Sequence, residues 1–273
     1  MPRTRETAMG TVTSADGTSI RFDVIGAGQP LIVVDGATAH RAVANWNTEL
    51  GEQLADEFRI YTYDRRGRGE SGDTAPYAMQ REIEDLAALI EEAGGSATVL
   101  GISSGGVLSL DAATAGLPIS RLALFEPPFV VDGTRPPLPS DYVEQLDAFV
   151  AQGRRGDAVE LFMTAAAGVP KEFVAGMRQS PFWSGLEDIA HTIAYDGRFM
   201  GTTMSGAPLP TDRWALTVPT LVMHGDRTPP SLMSGPRALV ELLPTATLRV
   251  VDGADHSFEA KSLAQALREF ASN

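Results

Sequence analysis

Through the first 125 residues, short runs rich in β-branched side chains alternate with longer stretches of helical periodicity, and this alternation constrains the fold more than any other feature. Thr18–Ile25, Leu31–Val34, Arg59–Tyr63 and Thr98–Gly101 read as strands. Between the last two, Ile83, Leu86, Ala87 and Ile90 recur at helical spacing, and Gly94-Gly95 stops the helix. A β-α-β unit of this kind predicts an α/β fold with a mostly parallel central sheet flanked by helices. The Gly26-Ala27-Gly28 turn precedes a strand instead of following one, and Leu31 stands where a third glycine belongs. It therefore reads as a turn and not as a dinucleotide loop.

A further strand, Leu122–Phe125, ends at Glu126, after which Pro127, Pro128, Pro136, Pro137 and Pro139 break the pattern. Strand signals then lapse until Thr220, and Asp141–Val150, Asp157–Ala167, Lys171–Arg178 and Phe182–Ala194 read as short helices. An excursion this long predicts a helical cap, or lid, at residues 127–212, inserted into a core made of residues 1–126 and 213–273. Thr220–Met223 and Thr247–Val251 resume the sheet. Each is followed by a helix, the last spanning Phe258–Phe270 with Leu263, Leu267 and Phe270 aligned.

The balance of 22 basic and 35 acidic residues, a formal charge of −13, repels nucleic acid and anionic membrane surfaces alike. The absence of cysteine removes disulfides, thiolate metal sites and a thiol nucleophile, so a nucleophile must be oxygen or nitrogen. No run approaches the ~18 apolar residues of a membrane span, and Met1–Gly10 carries Arg3, Arg5 and Glu6 with no apolar stretch behind them. A soluble cytoplasmic protein with no nucleic-acid or membrane partner is expected. No phosphate loop, H-E-x-x-H or paired-carboxylate motif is present, so neither metal nor cofactor is expected.

Gly101-Ile102-Ser103-Ser104-Gly105 is a G-x-S-x-G, a pattern that chance often supplies in a chain with 27 glycines. Its context gives it weight. It lies between the strand Thr98–Gly101 and a helix starting near Ser104, where a sharp turn would expose the serine in strained backbone geometry. The helix N-terminus beneath it would supply N–H groups to a developing oxyanion. A hydroxyl is a weak nucleophile and needs a base, and His256 lies in a loop just past the last strand, at the carboxyl edge where open sheets place their sites. Of the other histidines, His224 reads as packed structure, His40 as a residue that could border the pocket, and His191 as a residue of the cap.

Taken together, these features resemble the α/β-hydrolase superfamily over nearly the whole chain. The likeness is to its lid-bearing esterases, cofactor-free haloperoxidases and carbon-carbon bond hydrolases. The resemblance implies that Ser103 is the nucleophile and His256 the base. Val34-Asp35-Gly36-Ala37 stands where the family has His-Gly and its oxyanion residue, so the backbone amides of Ala37 and Ser104 would bind the oxyanion, with Asp35 replacing the usual histidine. The run Asp64–Gly72 resembles a family loop of mainly structural role. A serine at the elbow disfavours the branches that attack with a carboxylate. The usual place of the acid, after Gly225, holds Thr228, which cannot carry charge.

Some family members place the acid at the tip of the first strand after the elbow, here Glu126, whose following prolines are expected to hold it in an extended backbone. Glu126 is the favoured acid and Asp226 the alternative, while the third possibility is that no acid completes the set. Most of the aromatics near the strand exit and insertion read as packing, but Phe125, Phe129, Phe162, Trp183 and His191 are expected to border the substrate pocket. The expected function is a serine hydrolase that cleaves an ester, lactone or thioester of an apolar small molecule through an acyl-enzyme. The rivals are a cofactor-free cyclase, epimerase or carbon-carbon bond hydrolase, and a non-catalytic ligand receptor on the same scaffold.

Overall fold

The computed structural model describes residues 7–272. The reading of Arg3, Arg5 and Glu6 therefore lies outside the described residues. The order is β1 (Ala8–Thr13), β2 (Ser19–Gly26), β3 (Gln29–Val34), α1 (Asn45–Leu54), β4 (Phe58–Tyr63), α2 (Met79–Glu92), β5 (Ala97–Ile102), α3 (Ser104–Thr114) and β6 (Ile119–Phe125). Helices α4 (Tyr142–Ala151), α5 (Arg155–Leu161), α6 (Lys171–Met177), α7 (Trp183–Asp188) and α8 (His191–Met200) follow before β7 (Thr220–Gly225), α9 (Pro230–Leu242), β8 (Ala246–Val251) and α10 (Ala260–Ser272).

The strands form one sheet in the order β1-β2-β4-β3-β5-β6-β7-β8. The β1–β2 and β2–β4 pairs are antiparallel and every later pair is parallel, so the sheet is mostly parallel as expected. Helices cover both faces, which is why central strands such as Leu31–Val34 are apolar without a break. Alternation along β3 divides them: Ile32 and Val34 join a core with α2 and α3, whereas Leu31 and Val33 join one with α1 and α10.

Strand β1 and helix α1 have no counterpart in the sequence reading. β1 is an exposed edge with little apolar signal, and the buried stripe of α1 is only Asn47, Leu50, Gly51 and Leu54. The stretch expected as one helix from Phe182 is broken at Ile189, giving α7 and α8. The stretch from Asp157 is α5 running into a π-helical turn, Phe162–Ala166. Helices α4 to α8 form a third hydrophobic cluster of their own around Leu146, Val159, Trp183 and Ile193. No helix among the described residues is long and apolar enough to cross a membrane.

Helix α3 lies so close to β3 that a Cβ on Gly105 would sit 2.2 Å from the Val34 carbonyl oxygen and 2.6 Å from that of Asp35. Gly105→Ala is expected to cost about 1–3 kcal/mol through this overlap. Gly176→Ala, in α6 with nothing within 4 Å of the new methyl group, is expected to gain about 0.5–1 kcal/mol. Urea unfolding of both variants checks the contrast.

Candidate active site

Strand β5 stops at Ile102 and α3 begins at Ser104, so Ser103 takes the whole change of direction in one residue, at φ 53° and ψ −127°. The turn is held by two backbone bonds: Ser103 N–H donates to the Phe125 carbonyl at 2.8 Å, and Gly106 N–H donates to that of Ser103 at 2.9 Å. Gly36 permits the approach of the loop after β3, since a Cβ there would stand 2.9 Å from Ser103 Cβ. Among the described residues, the non-glycine positions with positive φ are Thr38, Ser103 and Glu126. Such backbone costs about 1–3 kcal/mol per residue, and all of this strain is gathered at one end of the sheet.

Glu126, fully buried, puts Oε2 2.7 Å from His256 Nδ1. Its other oxygen accepts from Gly225 N–H at 2.9 Å and from the Thr228 hydroxyl. The extended backbone expected from Pro127 is not what forms, because Glu126 has φ 48°. Its N–H continues the β6–β7 ladder to the Met223 carbonyl at 2.9 Å while its carboxylate turns back across the end of β7. These fixed bonds override the preference of a residue that precedes proline.

Asp226 does not meet His256. Its Oδ1 accepts from Ala254 N–H at 3.1 Å, and Asp226 N–H donates to the Val251 carbonyl at 3.0 Å, so it braces the loop that carries His256. Thr228, which stands where the acid was first sought, donates its hydroxyl to the Glu126 carboxylate. Sequence reasoning treated it only as a vacancy.

The loop Asp35–Thr38 rests on a buried ion cluster drawn from the run after β4. Arg65 Nη1 donates to the Asp35 carbonyl at 3.3 Å, and Arg68 Nη1 to that of Gly36 at 2.6 Å. Both guanidinium groups meet Asp196 of α8, and Arg65 also forks onto Glu82 at 2.6 and 2.8 Å. Asp196 Oδ1 accepts in addition from the Ser104 hydroxyl at 2.7 Å. One carboxylate thus joins α8 to the loop after β3 and to the residue after Ser103. Burial alone would raise the Asp196 carboxyl, but Arg65 and Arg68 outweigh it and hold the group below the usual carboxylate range. Asp35 differs: burial pushes its carboxyl up despite bonds from Asn47 Nδ2 at 2.7 Å and Trp46 Nε1 at 3.0 Å.

Ser103 and His256 open onto one cavity of ≈ 370 Å³, together with Ala37, Thr38, Ser104 and Asp196. As the first residue of α3, Ser104 presents a backbone N–H that no helix carbonyl takes up. The remaining lining is largely apolar, with Trp46, Leu138, Phe162, Met163, Ile193 and Met204 prominent. Of the expected pocket residues, only Phe162 lines this cavity.

Phe125 lies edge-on to Phe258, with ring centroids 5.2 Å apart, and is fully buried in the sheet core. Phe129 packs on Trp214. Trp183 fills the core of α4–α8 and donates to Glu187, while His191 pairs with Asp73 at 3.3 Å on the outer side. Apolar type alone does not separate a core aromatic from a cavity aromatic. A second depression, ≈ 630 Å³ and bordered by Val131, Pro208 and Arg237, contains no histidine and no strained residue.

Asp196→Ala is expected to cost about 3–5 kcal/mol, since it leaves buried cations short of counter-charge. Because the folded-state pKa of Asp196 is lowered, its contribution is complete above the unfolded value of about 4 and is lost as pH falls through the lower folded value. The stability advantage of wild type over Asp196→Asn should therefore shrink as pH drops below about 4, as measured by urea unfolding across a pH series.

Residues 33–271 match the model of the alpha/beta hydrolase family. The chain is 27% identical over 261 residues to a non-heme chloroperoxidase of Streptomyces lividans, covering 91% of this chain and 93% of the relative. The crystal structure of an alpha/beta hydrolase from Sphaerobacter thermophilus superposes with a TM-score of 0.87 at 48% identity, over 96% of this chain and all (100%) of that one. A thermophilic esterase from Thermogutta terrifontis, 24% identical, shares the fold with a TM-score of 0.70, over 97% of this chain and 98% of that one. An eight-stranded sheet in this order and a family match from β3 to α10 lead to one conclusion: the chain belongs to the α/β-hydrolase family.

Proposed function

We propose that this protein is a serine hydrolase that cleaves a carboxylic ester, lactone or thioester of an apolar small molecule through an acyl-enzyme. The observation that carries this reading is the 2.7 Å contact between Glu126 Oε2 and His256 Nδ1 on the cavity that Ser103 lines. A carboxylate can only accept, so Nδ1 carries the proton and Nε2 is left free to take one from Ser103.

In the reaction, Ser103 Oγ attacks the substrate carbonyl carbon as His256 Nε2 receives the hydroxyl proton, and Glu126 stabilises the imidazolium. The carbonyl oxygen becomes an oxyanion held by the amides of Ala37 and Ser104. As the tetrahedral species collapses, His256 returns its proton to the leaving alcohol, thiol or, in a lactone, the ring oxygen. Water activated by the same ring then attacks the acyl-Ser103 ester, releasing the acid and regenerating the hydroxyl. The segment from Leu138 through α8 serves as the lid, with Leu138, Tyr142, Phe162 and Met163 lining the cavity from that side.

Ser103→Ala is expected to abolish both fluorophosphonate labelling and ester turnover with the fold intact by circular dichroism. Loss of labelling with turnover retained would overturn the acyl-enzyme. Glu126→Gln is expected to lower turnover by roughly 10⁴, the scale of losing the acid in such a triad. Asp226→Asn, which keeps an acceptor for Ala254, should lower it far less, and the turnover numbers of the two variants make the comparison.

A further inference from the structure

Arg135 is only half-buried, and it differs from the fully buried arginines of the ion cluster in its partners. Arg65, Arg66 and Arg68 each meet a carboxylate. Arg135 forms no ion pair among the described residues: Nη1 donates to the Ala166 carbonyl at 3.0 Å, Nη2 donates to the Pro128 carbonyl at 2.8 Å, and the buried Nε has no partner. Carbonyl dipoles orient a guanidinium without neutralising it, so the cation carries a desolvation cost with no counter-charge to offset it. Burial pushes its pKa below the ordinary arginine value, and no acid acts in the other direction.

This cation lines the same cavity as Ser103 and His256, whose walls are otherwise largely apolar. Its mounting is rigid. Pro136 restricts the Arg135 backbone, Val130 N–H donates to the Thr203 carbonyl at 2.9 Å, and Leu138 N–H donates to that of Met204 at 3.0 Å. Asp196, which also faces the cavity, is already shared by Arg65 and Arg68 and leaves Arg135 unbalanced. Because Arg135 lines the cavity, a negative charge can reach it there as part of a bound molecule.

We infer that Arg135 determines specificity by pairing with a carboxylate carried by the substrate, at the far end of an apolar chain or ring from the bond that Ser103 attacks. A planar guanidinium matches a carboxylate in shape and charge. One cation balances one negative charge, and a phosphate dianion would leave a second charge among apolar walls. The inference deepens the ester-hydrolase reading and rests on it only for the identity of the bond cut, because the carboxylate contact is a claim about binding.

The test uses the 4-nitrophenyl monoester of adipic acid and its uncharged isostere with a terminal amide. Calorimetric binding to the Ser103→Ala protein is expected to favour the carboxylate about 10- to 100-fold, the ratio of one charge-assisted contact. Adding Arg135→Gln should bring the ratio near one, whereas Arg135→Lys, which keeps the charge, should retain part of it. If Arg135 serves only to close the π-helical turn at Ala166, Gln weakens both probes alike and the ratio stays as it was, which overturns the inference. Absence of a carboxylate preference before Arg135 is changed, whether both probes bind or neither does, overturns it as well. Preference in binding with no hydrolysis of either ester by the Ser103 enzyme refutes the ester-hydrolase reading and leaves the Arg135 assignment standing. Hydrolysis without preference does the reverse.

Discussion

Asp196 is the carboxylate on which the geometry of the site depends. It sits between Arg65 and Arg68, which hold the carbonyls of Asp35 and Gly36, and it accepts a hydrogen bond from the Ser104 hydroxyl. Apolar side chains of equal volume could fill this space with no loss of stability. They could not offer directed donors to two carbonyls and an acceptor to one hydroxyl at once. The cluster therefore sets the loop after β3, the start of α3 and helix α8 in one arrangement, and does so largely buried at the edge of the cavity. The run Asp64–Gly72, structural in the sequence reading, is structural in a specific sense: its arginines hold the carbonyls of Asp35 and Gly36 in the loop that borders the cavity.

The second constraint is strain. Thr38, Ser103 and Glu126 adopt backbone angles that side chains disfavour, and Ser103 and Glu126 are each held by a backbone bond to a neighbouring strand, to the Phe125 and Met223 carbonyls. At Ser103 the sharp turn exposes a hydroxyl above a helix N-terminus. At Glu126 the distortion lets one residue finish a parallel ladder and still direct its carboxylate across the end of β7 toward His256. Thr228 supports this orientation, since its hydroxyl donates to the same carboxylate.

Much of this was legible in the sequence, for identifiable reasons. Period-2 and period-3.6 patterns reflect local burial, so the parallel strands, α2 and the helical excursion between β6 and β7 were all readable. The tip of β6 is likewise a local feature, and a glutamate followed by two prolines stands out there. Contacts between distant segments leave no such trace: Asp196 and Ser104 lie 92 residues apart, and nothing in Tyr195-Asp196-Gly197 announces the pairing. Arg135 was equally silent, because only the structure tells an arginine among carbonyls from one on the surface. Phe125, Phe129 and Trp183 were assigned to the pocket by type and neighbourhood, and tertiary packing sent them into cores instead.

The central claim is that Glu126 holds the His256 ring in the tautomer that leaves Nε2 free for Ser103. Nitrogen-15 and proton NMR of histidine-labelled protein addresses this contact directly. The account predicts a protonated Nδ1 with a strongly downfield N–H resonance, abolished in the Glu126→Gln protein and preserved in the Asp226→Asn protein. Survival of that resonance without the Glu126 charge, or its loss when only Asp226 is changed, would contradict the account.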